Sequence, residues 1–352
     1  MPTPRIEIDL GKIAHNARTL KSLYGAKGIG VIGVTKVVCG DPDIAKTLVD
    51  SGIGILADSR TANIQKMRDA GVAAQFLLLR TPLLSQAETV VNVADISLNS
   101  ELSVVEKLAE IAAAQNTTHK VILMVELGDL REGLMPRDLG GVVQRVAELE
   151  GIELAGIGTN LACFAGVKPD AKNMGRLSSI ADELEERFDL TFAFVSGGNS
   201  ANFNWFTSTQ DVGRINNLRL GESIYLGRET LQREPIPALF TDAFTLIAEV
   251  IEAKTKPSLP HGDIGQDAFG NVPELQDRGQ TNRALLGIGL QDVSVSGLTP
   301  SRDMDILGAS SDHIIVDAKQ LGLEVGDEVE FNLNYAALLA TMTSSYVLKE
   351  YR

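Results

Sequence analysis

Lys36 is the residue of this sequence whose position most directly suggests chemistry. It follows an apolar run that ends at Thr35, so a predicted strand carries an ammonium group at its carboxyl end. Burial would lower the pKa of such a lysine and make the amine a usable nucleophile or base. A strand-end lysine whose side chain only extends into solvent is the alternative. The pattern alone leaves both interpretations open.

Two glycine-containing segments have residue types that suit an anionic ligand. Ser196-Gly-Gly-Asn-Ser200 precedes a helical pattern, and Ser200 is a candidate N-cap. Glycines let backbone N–H groups approach a ligand closely, and a helix N-terminus favours negative charge. Arg219-Leu-Gly221 adds a cation and a second tight turn. Each segment alone could be a structural turn, but the pair favours a bound phosphate group.

Short apolar segments alternate with amphipathic ones and must position these residues. Eight apolar segments are rich in Ile, Val, Leu and Phe without strict alternation, which is typical of buried parallel strands. The predicted strands are Gly30–Val38, Gly54–Ala57, Gln75–Leu79, Asp95–Leu98, Lys120–Glu126, Glu153–Gly158, Thr191–Ser196 and Leu218–Leu220. The clearest predicted helices are Pro42–Ser51, Thr61–Ala70, Glu101–Gln115, Pro136–Leu149 and Asp170–Phe188. Asp41 before Pro42, and Asn99-Ser100 before Glu101, are predicted helix starts.

This rhythm predicts an α/β fold, a (β/α)8 TIM barrel over residues 10–230. A doubly wound open sheet is the main competitor, and periodicity does not exclude it. In a barrel, catalytic side chains lie at the carboxyl ends of the strands, and phosphate commonly binds after strands seven and eight. Ser196–Ser200 and Arg219–Gly221 follow those two predicted strands.

The pattern changes after about Gly227, and residues 231–352 are predicted to form a smaller β-rich C-terminal domain. Two domains also fit a chain of 352 residues at roughly 150 per domain. The predicted elements are the strands Thr245–Ile251, His313–Asp317 and Glu328–Leu333 and the helix Tyr335–Met342. The N-terminal strand within residues 1–9 is expected to pair with this domain.

The composition argues against several classes of function. A formal net charge of −14 repels phosphate backbones and anionic lipid, so roles in binding nucleic acid or membranes are not expected. No apolar run approaches the roughly 18 residues of a membrane span. The two cysteines, Cys39 and Cys163, form no disulfide framework and fit a reducing, cytoplasmic location. The four histidines are scattered and no metal-ligand spacing occurs, so no metal site is expected.

Together these segments resemble the alanine racemase family, the fold-type III enzymes that use pyridoxal 5′-phosphate. Val34-Thr35-Lys36 resembles the family segment whose lysine forms a Schiff base with the cofactor. Glu126-Leu-Gly-Asp-Leu-Arg131 resembles the segment whose arginine lies near the cofactor oxygen and the substrate carboxylate. Gly198-Asn-Ser-Ala201 resembles the phosphate loop, and Arg219-Leu-Gly221 resembles the segment whose arginine bonds the pyridine nitrogen.

The resemblance implies a set of site residues and an assembly. Implied cofactor contacts are Lys36, Arg131, Asn160, Ser196, Gly198, Asn199, Ser200, Arg219, Gly221, Glu222 and Tyr346. Gly308-Ala-Ser-Ser-Asp312 resembles a segment that reaches the active site of a partner, so Ser311 and Asp312 become candidate substrate contacts. A homodimer with its active site at the interface is implied.

Three positions depart from the family pattern. Gly40 stands where the family has a tyrosine, and Asn160 stands where a histidine stacks on the cofactor ring. Leu290 stands where the family has its catalytic tyrosine, and leucine cannot transfer a proton. The second base of the family is therefore not carried over. The candidates for that role are Cys163, His261, Asp292 and His313.

Other sequence segments are similar to the ornithine racemase branch of the family, among them Leu56–Arg60, Asp263–Gly270 and Leu307–His313. The substrate is therefore expected to be ornithine or another basic amino acid. Carboxylates of the segment His261–Asp277 could pair with its side-chain ammonium, although an acidic solvated loop is the alternative. These carboxylates are Asp263, Asp267, Glu274 and Asp277.

The expected reaction interconverts L- and D-amino acids by removing and returning the α-proton. Lys36 would serve one face of the substrate, and Arg219 would keep the pyridine nitrogen unprotonated and so disfavour transamination. An alanine or broad-specificity racemase is the first alternative. A D-amino-acid lyase or aldolase, which would normally use a metal, is the second. A non-catalytic protein that binds the cofactor is the third, but such proteins resemble the barrel alone.

Overall fold

The computed structural model describes residues 2–266, 269–270, 272 and 276–352. The chain forms two compact units. One is Gly11–Thr241, and the other joins the N-terminal segment up to Leu10, with strand β1 (Arg5–Ile8), to Asp242–Arg352. The first unit extends past residue 230 because the buried amide of Asn16 holds the chain at Phe240, donating to its carbonyl and accepting from its N–H, each at 2.8 Å.

Gly11–Thr241 contains a closed barrel of eight parallel strands, which confirms the predicted TIM-barrel fold and excludes the open sheet. The barrel strands are β2 (Gly30–Val34), β3 (Ile55–Asp58), β4 (Gln75–Leu78), β5 (Ile96–Asn99), β6 (His119–Met124), β7 (Ile152–Gly158), β8 (Phe194–Ser196) and β9 (Asn217–Leu220). The helices of this part of the chain are α1 (Leu10–Gly25), α2 (Pro42–Asp50), α3 (Thr61–Asp69), α4 (Ala87–Val93), α5 (Leu102–Ala114), α6 (Pro136–Ala147), α7 (Ala171–Phe188), α8 (Phe203–Ser208) and α9 (Glu222–Leu226).

The barrel interior is an apolar core built from alternate residues of the strands. Ile32 and Val34 of β2 belong to this core, together with Ala57, Leu98 and Met124 of other strands. Residues that alternate with them along a strand, such as Ser97 of β5, belong to the other face of the sheet and lie outside this cluster. β2 ends at Val34, and Lys36 follows two positions later. The strand therefore places this lysine at its carboxyl end.

The ends of β2 and α5 differ from the sequence prediction. β2 stops at Val34 instead of Val38, because Lys36–Val38 forms a 3₁₀ turn that ends at Cys39 in the left-handed region, with φ 53°. The predicted start of α2 is confirmed, since the Asp41 side chain accepts from the N–H of Ile44 at 3.1 Å. The predicted start of α5 is wrong. That helix begins at Leu102 with Glu101 at the N-cap position, whose side chain makes no capping hydrogen bond. Asn99 instead belongs to β5, where its Nδ2 donates to Ser97.

A buried polar cluster lies between β5 and β6. The Ser97 hydroxyl and the His119 Nε2 are 2.8 Å apart, and both residues are almost completely buried. Burial lowers the pKa of His119 to about 4, although Asp95 and a hydrogen bond to the Ala94 backbone oppose the shift. The imidazole is therefore neutral at pH 7, accepting from one neighbour and donating to the other.

Folding stability is expected to fall as His119 becomes protonated. The folded pKa of about 4 is below the ordinary value of 6.5, so the unfolded chain binds the extra proton more readily. The stability that His119 contributes is present above pH 6.5 and is lost as the pH falls toward 4, by about 3 kcal/mol. Urea unfolding of His119→Gln and the wild type across this range measures the difference. Ser97→Ala, which keeps the imidazole, should retain the pH dependence; an unchanged dependence in His119→Gln would contradict the assignment.

The second unit is an eight-stranded, mainly antiparallel sheet with one helix. Its remaining elements are β10 (Phe244–Pro257), β11 (Gln280–Leu286), β12 (Leu298–Pro300), β13 (Asp305–Ala309), β14 (Ile314–Asp317), β15 (Glu328–Leu333), α10 (Tyr335–Thr343) and β16 (Leu348–Tyr351). The path through the sheet is β12-β15-β10-β11-β14-β13, and β1 pairs with β10 and β16. This agrees with the predicted β-rich C-terminal domain.

Candidate active site at the barrel mouth

Lys36 lies at the carboxyl end of β2 and is exposed. The burial considered from the sequence is therefore not present. The residue before it, Thr35, is fully buried and donates its hydroxyl to Asp58 at 2.9 Å. Asp58 also accepts from the Asn63 amide at 2.9 Å and from the Arg60 N–H at 3.0 Å. Burial raises the pKa of Asp58, and these donors oppose that shift. Asp58 thus holds the backbone from which Lys36 extends.

Arg219, at the end of β9, is the most deeply buried cation of the barrel mouth, with an exposed fraction of 3%. Its guanidinium donates to the Ser196 hydroxyl, to the Thr159 carbonyl at 2.8 Å and to the Asn160 Oδ1 at 3.4 Å. Burial lowers the pKa of Arg219 to about 10, while Glu132 and Cys163 oppose the shift electrostatically. Arg219 therefore remains protonated at neutral pH.

Only neutral groups bind the Arg219 guanidinium directly in the described part of the chain. Within the described ranges, no carboxylate lies at ion-pair distance from its guanidinium, and its three acceptors are neutral. A guanidinium carries five N–H donors, so further acceptors can bind to it. The Asn160 Nδ2 nearby is also buried and has no hydrogen-bond partner among the described residues. Buried donors without acceptors cost free energy, so this arrangement favours a ligand that accepts hydrogen bonds.

The loop after β8 is built around its two asparagines. The predicted cap at Ser200 is wrong, because the Asn199 side chain caps the turn by accepting from the Ala201 N–H at 2.8 Å. Gly198 has φ 133°, and a Cβ there would lie 2.5 Å from the Asn202 Oδ1. Ser200 serves a different purpose. Its hydroxyl lies 3.0 Å from the Ser223 hydroxyl and so joins the loop after β8 to the start of α9, which follows Gly221.

Two further predicted site residues, Arg131 and Glu222, form ion pairs near the barrel mouth. Arg131 is half-exposed and its guanidinium donates to Glu132 at 2.6 Å. Glu222, the first residue of α9, pairs with Arg233. Burial raises the pKa of Glu222, whereas Arg233 and Lys36 act in the opposite direction. Lys36 is thus within electrostatic range of the start of α9, which begins three residues after Arg219.

Asp129 is a site residue that the sequence did not single out, although it lies within the segment Glu126–Arg131. It is 1% exposed, and its carboxylate accepts three backbone N–H groups of the loop after β7. These donors are Cys163 at 3.1 Å, Phe164 at 2.9 Å and Val167 at 3.2 Å. The only sequence signal was an acidic residue between a glycine and an arginine. Asp129 therefore fixes the position of the loop that carries Cys163.

Replacing Asp129 with alanine is expected to destabilise the protein by about 3 kcal/mol, because three loop N–H groups lose their acceptor. Urea unfolding monitored by circular dichroism measures the change. Asp50→Ala, at an exposed position at the end of α2, is the matched control and should change stability by less than about 0.5 kcal/mol. Equal stability of the two variants would show that Asp129 does not hold the loop.

The other predicted residues belong to the second unit and are described within it. Asp292 is buried and accepts from the Ser344 hydroxyl at 2.6 Å. Tyr346 is exposed and lines a cavity of about 370 Å³ together with Gln291 and Ser344. Asp312 and His313 form a pair at 2.9 Å. Ser311, His261 and Asp263 are exposed, whereas Asp267 and Glu274 lie outside the described residues.

Two of the departures from the family pattern have a structural basis. Gly40 adopts φ 58°, and a Cβ there would lie 2.7 Å from the Asn63 Cβ, so this backbone excludes a tyrosine. Leu290 is 41% exposed, and its N–H donates to the Ser310 carbonyl at 2.9 Å. Leucine has no group that transfers a proton, so the side chain at residue 290 offers no acid or base.

In the described part of the chain, no helix is long and apolar enough to cross a membrane. The same residues contain no group of three or more His, Cys, Asp or Glu side chains that could hold a metal ion. Neither Cys39 nor Cys163 takes part in a disulfide.

A TIM barrel with a lysine after its first strand and a buried arginine in its eighth has the architecture of a barrel enzyme, whose site lies at the carboxyl ends of the strands. The profile described as "Alanine racemase, N-terminal domain" matches residues 8–229. The chain belongs to the alanine racemase family.

Relatives and solved structures cover the whole chain. An ornithine racemase of Acetoanaerobium sticklandii is 44% identical over 351 residues, which cover 99% of each chain. A lysine racemase of Thermotoga maritima is 38% identical over 353 residues, covering 100% of this chain and 99% of the relative. The structure of alanine racemase from Bartonella henselae with covalently bound pyridoxal phosphate has a TM-score of 0.75 at 19% identity, covering 100% of both chains. At that identity the structural likeness shows the fold alone.

Proposed function

We propose that this protein is a pyridoxal-phosphate-dependent racemase of basic amino acids, with ornithine or lysine as its substrate. The observation that supports it most is the buried guanidinium of Arg219, without a carboxylate, in a barrel whose first strand leads to Lys36. The full-length similarity to an ornithine racemase and a lysine racemase supports the reaction and the class of substrate.

The residues of the barrel mouth fit the cofactor. Lys36 Nζ would hold its aldehyde carbon, and Arg219 would donate to its ring nitrogen. The orphan Nδ2 of Asn160 offers a further donor. Its phosphate would bind at the backbone of Gly198–Ser200 and of Gly221–Glu222, with Arg131, Ser196 and Tyr346 as the remaining proposed contacts. When bound, the cofactor delocalises the electron pair left by removal of the α-proton.

The protonation state of Arg219 determines whether its guanidinium can only donate hydrogen bonds or can also accept a proton. Its pKa of about 10 is well above neutral pH, so the guanidinium donates hydrogen bonds and takes no proton. By donating to the ring nitrogen of a bound cofactor, Arg219 would keep that nitrogen unprotonated and would disfavour transamination. Lys36 can then remove the α-proton or return it on one face of the substrate.

Electrostatics supports a cationic side chain on the substrate. The chain has a formal net charge of −14, which attracts cationic amino acids over a distance. Asp263 is exposed on its loop and can pair with a side-chain ammonium, and Asp267 is proposed for the same role. Ser311 and Asp312 are the other proposed substrate contacts.

A racemisation panel on the cofactor-loaded protein, without added metal, tests this function. Alanine, serine, lysine, arginine and ornithine are supplied as pure enantiomers, and chiral chromatography follows both enantiomers and any cleavage product. We expect kcat/KM for ornithine or lysine to exceed that for alanine by at least about 10-fold. Cleavage products would identify a lyase, and an unchanged substrate would identify a non-catalytic cofactor-binding protein.

The homodimer and the cytoplasmic location are part of the same proposal. The family resemblance supports the homodimer, and the low cysteine content supports the location. Light scattering after size-exclusion chromatography measures the assembly directly, with twice the mass of the 352-residue chain as the expected result. A monomer at micromolar concentration would contradict the homodimer.

A further inference from the structure

Racemisation needs a proton donor or acceptor on each face of the α-carbon, and Lys36 supplies one of them. We propose that Cys163 is the second acid/base residue, an inference that rests on the racemase function proposed above. Of the four candidates from the sequence, Cys163 lies in the same compact unit as Lys36 and Arg219. His261, Asp292 and His313 belong to the other unit.

The thiol of Cys163 lies beside the hydrogen-bond network of the proposed cofactor site. The Asn199 Nδ2 is 3.5 Å from the Cys163 Sγ, and it has shorter bonds to the Asn160 Oδ1 at 3.0 Å and to the Leu161 carbonyl at 2.9 Å. Asn160 Oδ1 in turn accepts from Arg219 at 3.4 Å. The sulfur is exposed, so a substrate can reach it. Two residues, Asn199 and Asn160, separate the thiol from the buried guanidinium of Arg219.

The order of the barrel strands places Lys36 and Cys163 on different sides of Arg219. β2, which leads to Lys36, pairs with β9 on one side. β8 pairs with β9 on the other side, followed by β7, whose loop carries Cys163. The Arg219 side chain extends over β8 and reaches the Thr159 carbonyl after β7. Around the barrel, Lys36 and Cys163 therefore come from opposite sides of the strand that carries Arg219.

Two independent features point to a ligand beside this thiol. Arg219 is buried to 97% and has no carboxylate partner among the residues described. The Asn160 Nδ2 is buried without an acceptor in the same part of the chain. In addition, the three hydrogen bonds to Asp129 fix the backbone that carries Cys163. A catalytic acid/base requires such a fixed position next to a bound substrate.

The proposed step balances in protons and electrons. The C–H bond at the α-carbon breaks on the Lys36 face, its proton passes to the Lys36 amine, and the electron pair stays on the carbon and its conjugated partner. The S–H bond of Cys163 then breaks, its proton forms the new C–H bond on the opposite face, and the sulfur retains the electron pair. Proton exchange with water restores the lysine amine and the thiol. The opposite enantiomer reacts through the same steps in reverse.

Exchange of the α-proton in deuterium oxide separates a catalytic thiol from a structural one. In the cofactor-loaded Cys163→Ala variant we expect racemisation of ornithine or lysine to fall by at least about 100-fold. One enantiomer should still exchange its α-proton for deuterium without inversion, since Lys36 remains. Proton NMR measures exchange and chiral chromatography measures inversion. Cys39→Ser is the matched control and should stay within about threefold of the wild type.

Alkylation provides a readout other than activity. In the Cys39→Ser background, iodoacetamide should label Cys163, and bound cofactor with ornithine should slow the labelling at least about fivefold, as peptide mass spectrometry measures. If Cys163→Ala does not fold, reversible methylthiolation of Cys39→Ser protein replaces it, and dithiothreitol should restore racemisation.

Three results would overturn the role of Cys163. Racemisation within threefold of the wild type in Cys163→Ala would do so, as would loss of both exchange and inversion, which indicates a structural role. Loss of racemisation in His313→Gln together with a fully active Cys163→Ala variant would assign the step to His313. A wild type that racemises no amino acid would instead contradict the proposed function itself, and the role of Cys163 with it.

Discussion

Replacing Lys36 with alanine is expected to lower kcat/KM for racemisation by about 10⁴-fold or more, because one side chain supplies both the covalent anchor and a proton acceptor. Stability should change little, since the side chain is exposed and the turn Lys36–Val38 is held through Thr35 and Asp58. Chiral chromatography measures the rate, and the visible absorbance of the lysine-bound cofactor should also disappear.

Lys46→Ala is the matched control, because Lys46 is an exposed lysine on the neighbouring helix α2. It should leave both racemisation and cofactor absorbance unchanged. Borohydride reduction of the cofactor-loaded wild type, followed by peptide mapping, should place the cofactor on Lys36. A cofactor found on another lysine, or a Lys36→Ala variant that retains activity, would remove Lys36 from the mechanism.

Replacing Arg219 with methionine is expected to affect stability and function in opposite directions. Removal of a buried, unneutralised cation should raise the free energy of unfolding of the cofactor-free protein by about 1 kcal/mol, even though the Thr159 carbonyl loses a donor. Affinity for pyridoxal phosphate should fall about 100-fold, because a charge-assisted hydrogen bond to the ring is lost. Urea unfolding and fluorescence titration measure the two effects.

Two other substitutions separate charge from geometry at this position. Arg219→Lys keeps the charge without the planar fork, so cofactor affinity should lie between those of the methionine variant and the wild type. Arg219→Glu should increase transamination relative to racemisation, because a carboxyl group can protonate the ring nitrogen. Racemisation that stays intact in Arg219→Glu, without additional transamination, would show that Arg219 does not control the ring.

The barrel could be predicted because its signals are local. Each buried parallel strand needs only a short apolar run, and each helix only an amphipathic period, so the succession of both is visible along the chain. The lysine after β2 and the arginine of β9 are visible for the same reason, since they follow or end apolar runs. The start of α5 was misplaced because Asn99 and Ser100 have the residue types of a cap, whereas Asn99 is the last residue of β5 and Glu101 is the N-cap.

The supporting contacts of the site could not be predicted because they join distant parts of the chain. Asp129 binds N–H groups 34 to 38 residues away, and Arg219 reaches Thr159 across 60 residues. Only closure of the barrel brings these groups together. Asn199 caps the turn in place of Ser200 for a similar reason. The Ser200 hydroxyl pairs with the hydroxyl of Ser223, which lies 23 residues later in the chain.

The sequence by itself determined the fold class, the residues at the strand ends and the family resemblance, because each depends on neighbouring residues. The tertiary structure decided how those residues are placed. It left Lys36 exposed, buried Arg219 without a counter-ion, and attached Cys163 to the same network through Asn199. Burial and hydrogen-bond partners depend on which strands become neighbours, and that is settled only when the eight strands close.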